Sequence, residues 1–190
     1  MATIDDGIIP MTSATPRPSF CSIFLAAIVA FVPAVHAGGV AAAAAPPVPS
    51  PTGWSARADD STHMMTIWHG ASVVRVIPIA MGNRKHPTPN GIYHTMQKFR
   101  SMVMDSSTFG VPVDSPEGYR TPVEYATRLS WDGIFIHAAP WSVMYQGRTN
   151  VSHGCINVST ADGRYVYDEM PIGSTVEVIG TSGGTYTPGT

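Results

Sequence analysis

Cysteine is nearly absent from this chain: Cys21 and Cys155 are the only two in 190 residues. That excludes a framework of several disulfides and any zinc module built on paired cysteines. Charge is scarce too, at 13% of residues with a formal net charge of −2. There is no basic footprint for nucleic acid and no polybasic patch for a membrane surface. No internal repeat is present, and the apolar run Ile23 to Val32 falls well short of the ~20 residues needed to span a bilayer.

That run does fit the core of an export signal. Arg17 precedes it, and Val35 and Ala37 are small residues where a signal peptidase reads, so residues 1–37 are expected to be a signal peptide cleaved after Ala37. If cleavage fails, the apolar segment extends through the alanines to Ala45 and acts as an anchor. Residues 38–53 are rich in alanine and proline and read as a tether. Residues 54–180 suffice for one domain with a modest core, and residues 181–190, rich in Gly and Thr, read as a flexible tail. An exported chain trimmed in this way keeps one thiol, Cys155. An unpaired thiol in an oxidising compartment points to chemistry rather than to structure.

The body of the chain is mostly strand. Met64 to Trp68 and Ser72 to Ile77 flank His69-Gly70-Ala71 as a hairpin. Lys85 to Gly91 is a proline-rich turn, and Ile92 to Phe99 and Met102 to Met104 are expected as two further strands. Gly110 to Glu124, with three prolines and two glycines, reads as a long irregular loop. Gly133 to His137 is an apolar strand ending in a polar residue at a sheet edge. Ser159 caps one short helix running to Glu169, and Thr175 to Ile179 closes the domain as a strand. The pattern implies a mainly β fold, a compact β-sandwich or half-open barrel with one short helix.

Cys155 lies in Ser152-His153-Gly154-Cys155-Ile156-Asn157-Val158. A thiol attacks a carbonyl only as a thiolate, and an adjacent imidazole can take its proton. His153 is two residues upstream, on the same face if the segment is extended. His137 lies eighteen residues upstream on a separate strand, where it can be aimed independently, and is the preferred base. Gly154 permits the close approach that lets main-chain N–H groups, that of Cys155 included, face a developing oxyanion. Two other readings compete. Cys155 can be a buried apolar filler, or His137, His153 and Cys155 can bind zinc, although no fourth ligand is evident.

These residues resemble a known family. Ile136-His137-Ala138-Ala139-Pro140-Trp141-Ser142-Val143, then Gln146 to Asn150 and Ser152 to Ser159, are similar to the L,D-transpeptidase (YkuD-type) catalytic domain of the actinobacterial, mycobacterial type. Thr88 to Gly91, Met104 to Ser107 and Gly118 to Thr121 extend the likeness over nearly all of residues 54–180. The resemblance implies a cofactor-free cysteine acyltransferase of peptidoglycan. Cys155 attacks a tetrapeptide donor stem after its third residue, releases D-alanine, and passes the acyl group to the side-chain amine of an acceptor stem. It also implies His137 as base, Ala138 contributing its carbonyl where relatives often carry Ser or Gly, and Tyr119 holding substrate or oxyanion. Met104 lines the channel, Ser152 shapes the turn, and His153 and Asn157 support the pocket beside Gly154. Carbapenems are the implied covalent inhibitors. An L,D-carboxypeptidase sharing the acyl-enzyme, and an inactive peptidoglycan-binding module, are the alternatives. The immunoglobulin-like domains that precede the catalytic domain in mycobacterial-type relatives have no counterpart in residues 38–53. His63, His69, His86 and His94 read as surface histidines and Trp68 and Trp131 as core. Trp141 either walls the site or packs on the sheet.

Overall fold

The computed structural model describes residues 49–188. The expected leader and most of the expected tether lie outside them. Nine strands form two sheets that do not close into a barrel, and one α-helix accompanies them. Among the described residues the mainly β expectation with a single α-helix therefore holds.

The first sheet contains β1 (Trp54–Asp59), β2 (Met64–His69), β3 (Ser72–Pro78), β4 (Gly91–His94) and β9 (Thr175–Ile179), in the order β3-β2-β1-β9-β4. β2 and β3 make the expected hairpin, with His69 opposite Ser72 and Gly70 at φ 60 in the turn. β9 runs parallel to β1 and antiparallel to β4, so the closing strand sits inside the sheet. The second sheet contains β5 (Gln97–Asp105), β6 (Arg120–Arg128), β7 (Phe135–Ala138) and β8 (Ile156–Val158), in that order. α1 (Thr160–Glu169) begins at Ser159, whose hydroxyl accepts from the Asp162 amide at 3.1 Å and so satisfies an otherwise open helix N–H.

Both sheets and the helix feed one core. Ala56, Met65, Ile67 and Ile77 meet Leu129, Ile136, Ile156 and Val158, with Val166 and Met170 closing one side. A smaller cluster, Val123, Ala126, Phe135 and Cys155, lies apart from it and is flanked by Phe99, Met102 and Met104. Strand alternation explains the division. Ile136 and Ile156 turn into the main core, so their neighbours Phe135, His137, Cys155 and Asn157 turn the other way.

Five expectations need correction. Ile92 to Phe99 is not one strand: at Thr95 and Met96 the chain leaves the first sheet for the second, the Thr95 amide bonding Ser174 and the Met96 amide bonding Arg128. Phe99 and Met102 to Met104 then share β5. The irregular loop also ends earlier than expected, because Arg120 to Glu124 belongs to β6 and Pro122 pairs with Val103. β7 terminates opposite Glu124, so Pro122 occupies a stretch of β6 with a single neighbour, where a missing N–H is tolerated. The tail packs instead of trailing. The Asn90 side-chain amide donates to the Thr181 and Gly183 carbonyls, and Tyr186 stacks on Tyr93 at 4.0 Å. At the other end Ser50 accepts from the Thr175 amide, which makes residues 49–53 part of the domain. Finally, Trp68 is 2% exposed as expected, but Trp131 is 66% exposed and is not core.

Candidate active site

His137 comes from β7, which lies between β6 and β8 and not at a sheet edge. Its side chain is 4% exposed, and its register partner is Asn157 on the parallel β8. Nδ1 lies 2.9 Å from the Ala138 carbonyl oxygen. A carbonyl only accepts, so Nδ1 carries the hydrogen and Nε2 keeps the lone pair. Burial pushes the His137 pKa down, against the pull of that carbonyl, so the ring is a neutral base at neutral pH.

The position of Ala138 depends on the helix. A Cβ on Gly163 of α1 would lie 3.0 Å from the Ala138 nitrogen and 3.2 Å from its Cα. Only a glycine lets the helix rest on the backbone that orients the imidazole.

Cys155 ends the turn before β8 and is 8% exposed. Its thiol donates to the Gly133 carbonyl at 3.4 Å. Burial pushes its pKa up to about 11, opposed by the Phe135 amide and the Arg128 charge. The resting state is thus a protonated thiol and a neutral imidazole, each disfavouring charge because it is buried. Nucleophilic attack from this state requires the proton to leave sulfur as the substrate arrives.

The Ser152–Cys155 segment is a tight turn, not the extended segment assumed from its spacing. Gly154 has φ 122, and a Cβ there would meet the Ile134 side chain at 3.0 Å. The Ser152 hydroxyl donates to the Cys155 carbonyl at 2.6 Å and accepts from the Gly154 amide at 3.1 Å. Thr88 donates to the Gly154 carbonyl at 2.8 Å, tying the turn to the proline-rich segment. His153 and Cys155 still share a cavity, but through this turn rather than through strand alternation.

That cavity measures about 300 Å³, and Met104, Tyr119, His137, Ser152, His153, Cys155 and Asn157 all line it. Of the residues expected at the site, only Ala138 and Gly154 are not in its wall; they hold His137 and the turn from behind. Asn157 donates to Ser142 at 3.3 Å, while its Oδ1 is buried without a partner. Burial, with the nearby Cys155 and Asp105, pushes the Tyr119 hydroxyl up to about 12, so it is a neutral phenol. Trp141 joins the cavity wall, which decides between its two readings.

Other contributors were not legible in the sequence. His86, expected as a surface residue, packs against His153 with the rings tilted and their centroids 4.8 Å apart, and meets Glu117 at 3.2 Å. Glu117 also pairs with Lys85, and the hydrogen bonds from Lys85 and His86 hold its carboxyl below the usual range. These contacts join the loop before β6 to the turn around residue 86, beside Tyr119 and His153. A second chamber, about 580 Å³, shares Met104, Tyr119 and Cys155 with the first and adds Arg128 and Asp132. Among the described residues no group of three or more His, Cys, Asp or Glu side chains converges as metal ligands.

Residues 55–178 match the family model described as the L,D-transpeptidase catalytic domain, YkuD. The chain is 50% identical over 130 residues to L,D-transpeptidase 2 of Mycobacterium tuberculosis, covering 68% of this chain and 32% of that protein. It is 43% identical over 120 residues to L,D-transpeptidase 1 of the same species, covering 63% and 48%. The chain thus spans about a third to a half of these curated relatives. Among solved structures, an L,D-transpeptidase of Mycobacterium smegmatis superposes with a TM-score of 0.66 at 41% identity, over 67% of this chain and 59% of that one. L,D-transpeptidase 3 of Mycobacterium tuberculosis, solved with a faropenem-derived adduct, gives 0.65 at 37% identity, over 67% and 60%.

Proposed function

Because the chain belongs to the L,D-transpeptidase (YkuD) catalytic-domain family, we propose that it is a peptidoglycan L,D-transpeptidase with Cys155 as nucleophile and His137 as base. The observation that carries this reading is the His137 ring. Its Nδ1 is fixed on the Ala138 carbonyl, which leaves a basic Nε2 in the cavity that Cys155 lines. No cofactor enters the chemistry.

The donor is a tetrapeptide stem. Its scissile carbonyl enters against Cys155, whose proton passes to His137 as sulfur bonds to carbon. The Cys155 main-chain N–H and the neutral Tyr119 hydroxyl stabilise the oxyanion. The amide C–N bond then breaks, and the departing D-alanine takes the proton from His137. A thioester on Cys155 remains. The amine of an acceptor stem attacks it, gives a proton to His137, and the thiol is re-formed as the new amide leaves. Met104 and Trp141 provide apolar walls that keep the thioester dry. Ser152 and His153 hold the turn, and Asn157 supports the wall behind it.

The active form works on the outer side of the plasma membrane, released or anchored according to the fate of residues 1–37. Among the described residues no helix is long and apolar enough to cross a membrane. Carbapenems acylate Cys155, because their strained lactam presents the same carbonyl as the donor amide. A relative solved in complex with imipenem supports this, at 41% identity and TM-score 0.66.

The test is to incubate the full chain with a disaccharide-tetrapeptide and follow products by mass spectrometry. Loss of D-alanine with third-to-third linked dimers is expected, and Cys155→Ala should yield neither. Tripeptide accumulating without dimers would replace transpeptidation with hydrolysis by the same acyl-enzyme. Saturable binding without turnover would leave an inactive binding module.

A further inference from the structure

The connection from β7 to β8 carries no charged residue from Ala139 to Gly147. Trp141, Val143, Met144 and Tyr145 within it are all exposed, Met144 at 69%. They are held outward by construction, because the polar residues between them face inward. The Ser142 hydroxyl donates to the Ala139 carbonyl at 3.1 Å, and the Gln146 side-chain amide donates to the same carbonyl at 3.3 Å. The Tyr145 amide closes on the Ser142 carbonyl at 2.9 Å, and the Gly147 amide ties the segment to Ile79 at 2.9 Å. A segment that buries its polar groups and presents its large apolar ones marks a contact surface.

The patch is continuous with the catalytic cavity, since Trp141 and Tyr145 also line its wall. The neighbouring openings are charged. Arg128 and Asp132 line the second chamber, and Arg84, Lys85 and Glu117 line another beyond Tyr119 and His153. The aromatic, uncharged rim at Trp141 and Tyr145 instead suits a neutral group with one apolar face. Five residues are far fewer than the ~20–30 a side of a stable protein interface. A lipid surface calls for flanking cations, and in sequence Arg148 alone follows the segment closely. A pyranose fits better. Its C–H bonds form a face that lies on the negative face of an aromatic ring, while its hydroxyl rim stays in water.

We propose that Trp141, Met144 and Tyr145 form a saccharide platform that receives an N-acetylated pyranose of the glycan strand bearing the donor stem. The identity of the strand rests on the proposed transpeptidase reading. Acylation takes the stem after its third residue. Three extended residues reach about 10 Å, which carries the attached sugar across a cavity of about 300 Å³ to its rim. The sugar's own carboxyl is spent in the amide to the stem, so a neutral ring meets an uncharged surface. The platform positions the glycan and leaves the chemistry to Cys155 and His137. A stem on its glycan is thereby preferred over the bare peptide.

Binding is measured by titration calorimetry on the full chain carrying Cys155→Ala. The probes are a tetrapeptide stem, the same stem on its disaccharide, and triacetylchitotriose as sugar without peptide. The disaccharide stem should bind about tenfold more tightly than the bare stem, the effect of covering one aromatic face. Tyr145→Ser and Met144→Ser should each bring that ratio below about threefold. Tyr145→Phe, which keeps the ring, should preserve it. The ratio is insensitive to the folded fraction, which scales both stems alike. Triacetylchitotriose should bind weakly and lose that binding in Tyr145→Ser. A ratio near one in the parent, or a preference that survives Tyr145→Ser, would overturn the platform. Binding to phosphatidylglycerol vesicles that disappears in Met144→Ser, without any sugar preference, would make the patch a lipid contact instead. D-alanine release from the tetrapeptide by the unmodified chain is scored alongside. Its absence defeats the transferase reading, while triacetylchitotriose binding stands or falls by itself.

Discussion

At neutral pH the Cys155 thiol of the free protein should be sluggish toward a small alkylating agent. Its pKa is pushed from 9.0 to about 11, chiefly by burial. Two pH units correspond to about a hundredfold less thiolate at pH 7, and only the thiolate reacts. Iodoacetamide should therefore label Cys155 about a hundredfold more slowly than a free cysteine at pH 7. The rate should climb about tenfold per pH unit and level off only near pH 11. The physical reason is that the cavity leaves both members of the pair uncharged, with His137 pushed down while Cys155 is pushed up. A bound lactam should react far faster than this basal rate implies, because it supplies the oxyanion that makes proton transfer to His137 favourable. Intact mass spectrometry at a series of pH values gives the profile, with Cys155→Ala as the blank. A plateau already reached by pH 7 would mean a preformed thiolate–imidazolium pair and would refute the neutral-pair argument.

Three further outcomes follow from the geometry. Gly163→Ala places a methyl 3.0 Å from the Ala138 backbone nitrogen, and should cost about 1–3 kcal/mol in chemical denaturation. Donor turnover should fall further than in an equally destabilised core variant, because the same backbone orients His137. Since the folded-state pKa of His137 lies below its unfolded value, its contribution to stability is complete above about pH 6.5 and is lost as pH falls. His137→Gln should reduce the acid-side slope of stability against pH by up to about 1.4 kcal/mol per pH unit, and an unchanged slope would contradict the assigned burial. Asn90→Ala removes the side chain that binds Thr181 and Gly183. It should cost about 1–3 kcal/mol and open residues 181–188 to proteolysis, whereas a protease-resistant variant would show that the Tyr93–Tyr186 stack suffices.

Much of the fold was legible because its signals are local. The hairpin at Gly70, the capped helix at Ser159 and the alternating strand at Thr175 each carry their cause within a few residues. The apolar strand around Ile134 was equally legible, but its place between β6 and β8 was not, because sheet order depends on distant partners. For that reason His137 was expected at an edge and is buried within the sheet. Thr95 and Met96 gave no turn signal, since the switch between sheets there is held by Ser174 and Arg128. A Gly- and Thr-rich tail reads as flexible by composition. Its order comes from Asn90 and Tyr93, some ninety residues away. The same limit applies to the site. The turn from Ser152 to Cys155 is a sequence feature, whereas Arg128 and His86 reach the cavities through tertiary packing alone.

The central claim is that Cys155 is the nucleophile and His137 its base. The most direct measurement is the rate of imipenem acylation followed by intact mass, in the native chain and in Cys155→Ala, His137→Ala and His153→Ala. One adduct is expected in the native chain and none in Cys155→Ala. The rate should fall about 10²–10⁴-fold in His137→Ala and less in His153→Ala, with each variant folded by circular dichroism. An adduct that persists without Cys155, or a larger loss in His153→Ala than in His137→Ala, would contradict the account.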